Sequence, residues 1–299
     1  STDSFPQPRC HPETRLKMLE DLWGWSLDTK PSNSILWLYG PAGAGKSAIA
    51  QTLSQRLHET GRLGASFFFR RGHTTRGSAK ALFATIAYQV ALSFPSLRTP
   101  ISHRVECDSS IVARSMSAQF KKLILEPCCS LKTSKSLTII IDGLDECDSE
   151  VAQKEVLRTL GNSLQDHKVP LWVLVASRPE PHIRKAFEGP CFHGIYAAFN
   201  VQQSFGDVRR YLHDEFDRIY REHSQTMATV PHPWPPVEVL ETLVDRSSGH
   251  FIYAATIIKF IDDEGFRPTE RLAATENLTI MEFDSPFAAL DQLYIQILS

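Results

Sequence analysis

Ile35-Leu-Trp-Leu-Tyr-Gly40-Pro-Ala-Gly-Ala-Gly-Lys-Ser47 joins two patterns in thirteen residues. Ile35–Tyr39 is a short unbroken apolar run, the mark of a strand buried on both faces of a parallel sheet. Gly40–Ser47 then fits G-x-x-x-x-G-K-[ST] in full. From Ser47 to Leu57, apolar Ile49, Leu53 and Leu57 recur four apart, which predicts an amphipathic helix. Strand, glycine-rich loop and helix form the context in which this motif cradles phosphate. The glycines let the backbone of Gly40, Pro41, Ala42, Gly43, Ala44, Gly45, Lys46, Ser47 and Ala48 curl so that N–H groups face phosphate oxygens. The helix start turns its positive dipole end to the same place. Lys46 is expected to reach the β and γ phosphates and the Ser47 hydroxyl to sit on Mg²⁺.

Further apolar runs at Ala65–Phe69, Leu137–Ile141 and Leu171–Ala176 read as strands, with Cys191–Phe199 as a fifth. Helical patterns lie between or beside them at Thr14–Trp25, Ala79–Leu92, Met116–Leu125 and Val151–Leu164. Alternation of this kind predicts an α/β P-loop NTPase core: a parallel five-stranded sheet flanked by helices. Beyond residue 200 only helices are expected, at Phe205–Tyr220, Val237–Val244, Phe251–Ile261 and Phe287–Leu298. Met227–Pro236, with four prolines, breaks them. The expected organisation is an N-terminal arm and helix over 1–34, the core over 35–200 and a helical domain over 201–299.

A phosphate loop needs an acid for its metal. Leu137–Ile141 runs into Asp142-Gly-Leu-Asp145-Glu146, placing Asp142 at the carboxyl end of a buried strand, where open α/β sheets bind ligands. Asp142 is expected on Mg²⁺ together with Ser47, and Asp145 or Glu146 near an attacking water. Leu171–Ala176 ends in Ser177-Arg178-Pro179, and Arg178 is expected to approach the γ-phosphate.

Composition narrows the function classes. Across 299 residues, 42% are hydrophobic and 22% charged, as in ordinary globular proteins. With 32 Lys plus Arg against 34 Asp plus Glu the formal charge is -2, so no global field favours nucleic acid or an anionic membrane. Six cysteines, Cys128 and Cys129 adjacent and the others scattered, with no CxxC pair, suggest reduced, packed thiols and a cytoplasmic protein, not a disulfide scaffold. His103 and Cys107, at i, i+4, could form half a metal site. The longest apolar stretch, Phe251–Ile261, is too short to span a membrane, and the N-terminus lacks the apolar region of a signal peptide.

Taken together, GPAGAGKS at 40–47, SFFFRR at 66–71, ATIAYQVA at 84–91, IIIDGLDEC at 139–147 and LVASRPEPHI at 174–183 resemble the NACHT family of STAND-type P-loop NTPases, the group of animal and fungal NOD-like receptors. DVRRYL at 207–212 and SSGHFIYAATIIKFI at 247–261 resemble the helical domain that follows their NTPase core. The resemblance implies Lys46 and Ser47 on phosphate and metal, Asp142 on metal, Asp145 and Glu146 in hydrolysis, and Arg178 as a strand-end sensor. It implies ATP or GTP as ligand and weak hydrolysis serving signal transduction. It also implies that the strand ending at Ala176 lies between the P-loop strand and the acidic strand. Relatives assemble as homo-oligomers in the triphosphate state. They carry an effector module, a winged helix and a repeat sensor, none of them visible in this sequence. A Gly-x-Pro-like turn of relatives corresponds here to Gly249-His-Phe-Ile, without the proline. In relatives the region of His11–Arg15 lies near adenine; the bland alternative is a helix cap by Thr14.

Two other classes fit parts of the pattern. A metabolic phosphotransferase would use Arg70, Arg71, His73, Arg76 and Lys80 as a basic lid, although these residues also read as a solvated loop. A non-hydrolysing module would hold nucleotide as a structural cofactor. Trp23, Trp25, Trp37, Trp172 and Trp234 are expected in the core.

Overall fold

The computed structural model describes residues 8–28, 33–129, 136–165, 169–263, 265–276, 291, 294 and 295. The chain divides into two compact units. The first comprises Ser1–Arg9, Leu16–Pro41 and Lys46–Val201; the second comprises Cys10–Arg15, Ala42–Gly45 and Gln202–Ser299.

The first unit is built on five parallel strands: β1 (Ile35–Tyr39), β2 (Leu63–Phe68), β3 (Leu137–Asp142), β4 (Leu171–Ser177) and β5 (Tyr196–Asn200). Their order is β2-β3-β4-β1-β5. The strand ending near Ala176 therefore does lie between the phosphate-loop strand and the acidic strand. Every residue of β3 and β4 is buried, and β1 is buried up to Tyr39. These are the strands with apolar runs, interrupted only by Thr138 in β3 up to its terminal Asp142 and by Ser177 at the end of β4, and the sheet centre is the environment such runs require. The edge strands β2 and β5 alternate in exposure. Register sets Tyr39 beside Ser177 and Asn200, and Phe68 beside Asp142, so the carboxyl ends of the strands form one rim.

Helices of this unit are α1 (Leu16–Leu27), α2 (Lys46–Glu59), α3 (Leu82–Ser93), α4 (Pro95–Cys107), α5 (Met116–Phe120), α6 (Glu126–Cys129), α7 (Glu150–Gln165) and α8 (Pro181–Phe187). Ile86, Val90, Phe120, Val156 and Leu160 pack with β3 and β4 side chains in one core.

Several elements differ in extent from their sequence patterns. Ala79–Ala81 is a 3₁₀ turn capped by Ser78, and the helix proper starts at Leu82. Met116–Leu125 is not one α-helix: it widens to a π turn over Lys121–Leu125. Cys191 lies in a 3₁₀ turn, Pro190–Phe192, so the fifth strand begins only at Tyr196. Helices α4 and α8 have no counterpart in the sequence reading.

The described residues of the second unit form α9 (Phe205–Glu222), α10 (Ser224–Met227), α11 (Val237–Arg246), α12 (Phe251–Ile261) and α13 (Pro268–Glu276), and no strand. Val208, Leu212 and Phe216 of α9 meet Leu243, Ile257 and Trp234 in a separate core. The helix expected at Phe287–Leu298 falls almost wholly outside the described residues.

Candidate functional site

At the rim of the sheet β1 ends in Tyr39 and α2 starts at Lys46. The backbone between them takes φ +70° at Gly43 and +92° at Gly45, the left-handed region where a Cβ is strained. Lys46 turns back on the loop. Its Nζ donates to the carbonyls of Gly40 (2.8 Å) and Pro41 (2.8 Å). Burial lowers the pKa of the ammonium, while Asp145 and Asp142 oppose that shift. An ammonium held on two neutral carbonyls can exchange them for phosphate oxygens at a gain in charge pairing.

Asp142 closes β3 and is 4% exposed. The Ser47 hydroxyl hydrogen-bonds to it, and its Oδ1 has no hydrogen-bond partner. Burial pushes its pKa up to about 6, against the Ser47 bond and the Lys46 charge. A carboxylate oxygen left without a partner beside a hydroxyl is a hard oxygen donor set of the kind Mg²⁺ takes.

After Asp142 the chain turns through Gly143, at φ 70° and ψ 35°, into a 3₁₀ turn, Leu144–Glu146. This turn carries the other two acids to different surroundings. Asp145 is 7% exposed. Its Oδ1 accepts from the Arg178 backbone N–H (2.9 Å), and its Oδ2 lies 3.1 Å from Arg178 Nε. Glu146 is half-buried, and its Oε2 accepts from the Arg71 backbone N–H at 3.4 Å. Arg71 Nη2 donates to the Asp145 carbonyl (3.3 Å). The structure thus brings together Lys46, Ser47, Asp142, Asp145, Glu146 and Arg178. It also pairs Arg178 with Asp145, the arrangement a purely structural arginine would show.

Two residues of this site had no assigned role in the sequence reading. Gln153 of α7, 4% exposed, donates from Nε2 to the Cys147 carbonyl (2.8 Å) and, at 3.5 Å, to that of Asp145. His182, in the first turn of α8, meets Gln153 Oε1 at 2.6 Å through Nε2. Gln153 shares a helix face with Val156, Leu157 and Leu160, and a polar residue inside an apolar stripe was the available signal. Across β1 and β4, Trp37 Nε1 donates to Ser177 Oγ (2.9 Å), fixing the strand ends next to Arg178.

The middle of the loop, Ala42–Gly45, groups with the second unit. Within that unit Arg15 Nη2 donates to the Ala44 carbonyl (3.1 Å), and a Cβ on Gly43 would come 2.4 Å from Ile252 Cγ2. Thr14 Oγ1 donates to the His11 carbonyl (2.6 Å), closing a local turn. The proposed lid residues Arg70, Arg71 and Lys80 are exposed, and the His73 Nδ1 accepts from the backbone of Thr75 and Arg76. His103 and Cys107 are in contact, at 3.6 Å from Nε2 to Sγ. No group of three or more metal-ligating side chains occurs among the described residues. Trp37, Trp172 and Trp234 are buried. Trp23 and Trp25 are only half-buried: Arg56 stacks over Trp23, and Trp25 Nε1 donates to the Asn33 carbonyl.

A family model described as nephrocystin 3, N-terminal, matches residues 15–178, a stretch that holds Lys46, Ser47, Asp142, Asp145, Glu146, Gln153 and Arg178 and ends four residues before His182. The chain belongs to the nephrocystin 3 N-terminal family. No curated protein matches this family member in sequence. Solved structures similar to this nephrocystin 3 N-terminal chain include Cdc6p from Pyrobaculum aerophilum, at TM-score 0.51 and 13% identity, covering 87% of this chain and 63% of that one. Others are the Drosophila ORC bound to DNA, at TM-score 0.50 and 13% identity over 88% of this chain and 60% of that one, and the Aeropyrum pernix Orc1 protein in complex with DNA, at TM-score 0.50 and 15% identity over 95% and 66%. The chain therefore spans 60%, 63% and 66% of the lengths of these three proteins. At such identities the likeness shows the shared fold. No helix among the described residues is long and apolar enough to cross a membrane.

Proposed function

We propose that this chain is a nucleotide-binding switch core that takes ATP or GTP with Mg²⁺ and hydrolyses it slowly. One observation carries the reading: at the rim of a parallel sheet, Lys46 and Ser47 face a buried Asp142 whose Oδ1 lacks a partner. Ser47 and Asp142 would hold Mg²⁺, which neutralises phosphate charge when bound. Lys46 exchanges two loop carbonyls for phosphate oxygens. Arg178 faces the terminal phosphate. Glu146, less encumbered than Asp145, orients the water or accepts its proton.

The finer reading is a STAND-type switch in an innate-immunity or incompatibility receptor, with nucleotide state coupled to domain rearrangement and oligomerisation. It is supported by the motifs at 40–47, 139–147 and 174–183. Triphosphate and diphosphate would favour different conformations, by no more than their difference in affinity for each.

The test is to purify the chain, denature it and identify released nucleotide by ion-exchange chromatography, with Lys46→Ala alongside. Stoichiometric nucleotide from the parent alone, or Mg²⁺-dependent binding of added ATP or GTP that Lys46→Ala loses, supports the reading. A parent that binds nothing, or a Lys46→Ala variant that binds as well, overturns it.

A further inference from the structure

Asp145, Arg178, His182 and Gln153 close a ring. The Asp145 carboxylate takes the backbone N–H of Arg178 at 2.9 Å and its Nε at 3.1 Å. Four residues on, at the start of α8, His182 Nε2 meets Gln153 Oε1 at 2.6 Å. From the other end of the same amide, Gln153 Nε2 donates to the Cys147 carbonyl at 2.8 Å and to the Asp145 carbonyl at 3.5 Å. Outside the ring, Glu150 Oε2 lies 3.8 Å from His182 Nδ1.

The ring ties two separate loops into one body. One follows β3 and carries the acids; the other follows β4 and carries the arginine. The Arg178 side chain is 46% exposed, so packing alone does not hold it. Its position comes from Asp145, and the position of Asp145 comes from the turn that Gln153 braces. Gln153 is buried, with both ends of its amide engaged, so it has one orientation.

We propose that Gln153, held by His182, is a positioning residue that aims Arg178 at the terminal phosphate and so sets the preference for triphosphate over diphosphate. This rests on the reading above that the site binds nucleotide. In it, Asp145 serves as the anchor of Arg178, and Glu146 is left to handle water.

The experiment measures affinities for Mg²⁺-ATP and Mg²⁺-ADP by titration calorimetry, which needs no turnover. A non-hydrolysable ATP analogue serves as a check. Variants are Arg178→Ala, Gln153→Ala and the double variant, then His182→Leu and His182→Gln. Arg178→Ala should lower the ATP-over-ADP ratio about tenfold, the scale of one lost charge-assisted contact, with ADP affinity unchanged. Gln153→Ala should lower the same ratio in the same direction. The double variant should fall no further, because the two residues act as a unit. His182→Leu should repeat the effect and His182→Gln, which keeps an N–H near the Nε2 position, should restore the ratio.

A merely structural role would lower the melting temperature and both affinities together, leaving the ratio where it was. That outcome, or additive losses in the double variant, overturns the proposal. If Gln153→Ala does not fold, the two His182 variants decide on the same criteria. If Arg178→Ala itself leaves the ratio unchanged, the assignment of Arg178 to the terminal phosphate has failed, and the brace has no function to serve. A parent that binds neither nucleotide shows instead that the functional reading has failed.

Discussion

A single carboxylate shows the tension between stability and function in this chain. Asp142 is buried, and one of its oxygens has no partner. A charge in that position costs folding free energy that a cation would return. Asp142→Asn should therefore raise the melting temperature of the nucleotide-free protein at neutral pH while removing the Mg²⁺-dependent part of nucleotide affinity. Thermal melts with EDTA, and nucleotide titrations with and without Mg²⁺, measure the two halves. A melting temperature that fell would mean that the carboxylate is satisfied by some other group. His250 makes a second residue-scale case. Burial, then the charge of Arg15, lowers its pKa below the ordinary value near 6.5. The unfolded chain consequently binds more protons at this group once pH drops below about 6.5, so stability is lost as pH falls through that region. Denaturant midpoints at pH 7.5 and 5.0 should show the loss, and His250→Asn should show less of it. Equal acid sensitivity in the two proteins would assign the loss to other groups.

At the scale of elements, burial ranks the strands. Leu174 of β4 is fully buried between Leu36 and Ile140 on the neighbouring strands. Leu174→Ala should cost about 2–5 kcal/mol in denaturant unfolding, the range for a cavity left in a packed core. Ala198→Ser, on the exposed part of edge strand β5, should stay within about 0.5 kcal/mol. The central strands were legible because a strand buried on both faces leaves an almost wholly apolar run, and Ile35–Tyr39, Leu137–Ile141 (with Thr138 its one hydroxyl) and Leu171–Ala176 are such runs. Helix α8 has a start signal in Pro181 at its first turn, where a missing N–H costs nothing, but with 7 residues it is too short to show a period. Helix α4 was harder. Pro100 lies inside it and buried residues are few, Leu97 and Ile101, so its periodicity is faint. The late start of β5 follows from Pro190 and Gly194, which hold the preceding chain in turns. In the site, the motif positions were readable one by one, because each needs a particular side chain or a glycine. Gln153 and His182 were not, because their roles lie in partners brought together by α7 and α8.

For the molecule as a whole, ligand binding and stability are linked. Every site residue from Lys46 to Arg178 belongs to the first unit, whose core runs from Ile35 to Phe192. A nucleotide that binds only the folded form adds about 2.7 kcal/mol at a hundred times its Kd. Mg²⁺-nucleotide should therefore raise the melting temperature of the parent by several degrees, in proportion to the logarithm of its concentration. Lys46→Ala should abolish the rise, since it removes the ammonium that leaves Gly40 and Pro41 for phosphate. Asp142→Asn should keep only the part seen in EDTA. Adding ATP and ADP in parallel gives the preference between them in the same melts, and the base follows from a parallel series with GTP and GDP. A parent whose melting temperature did not move with any of these would have no nucleotide linked to its folding. The three residues Lys46, Ser47 and Asp142 would then be a phosphate cradle in shape alone.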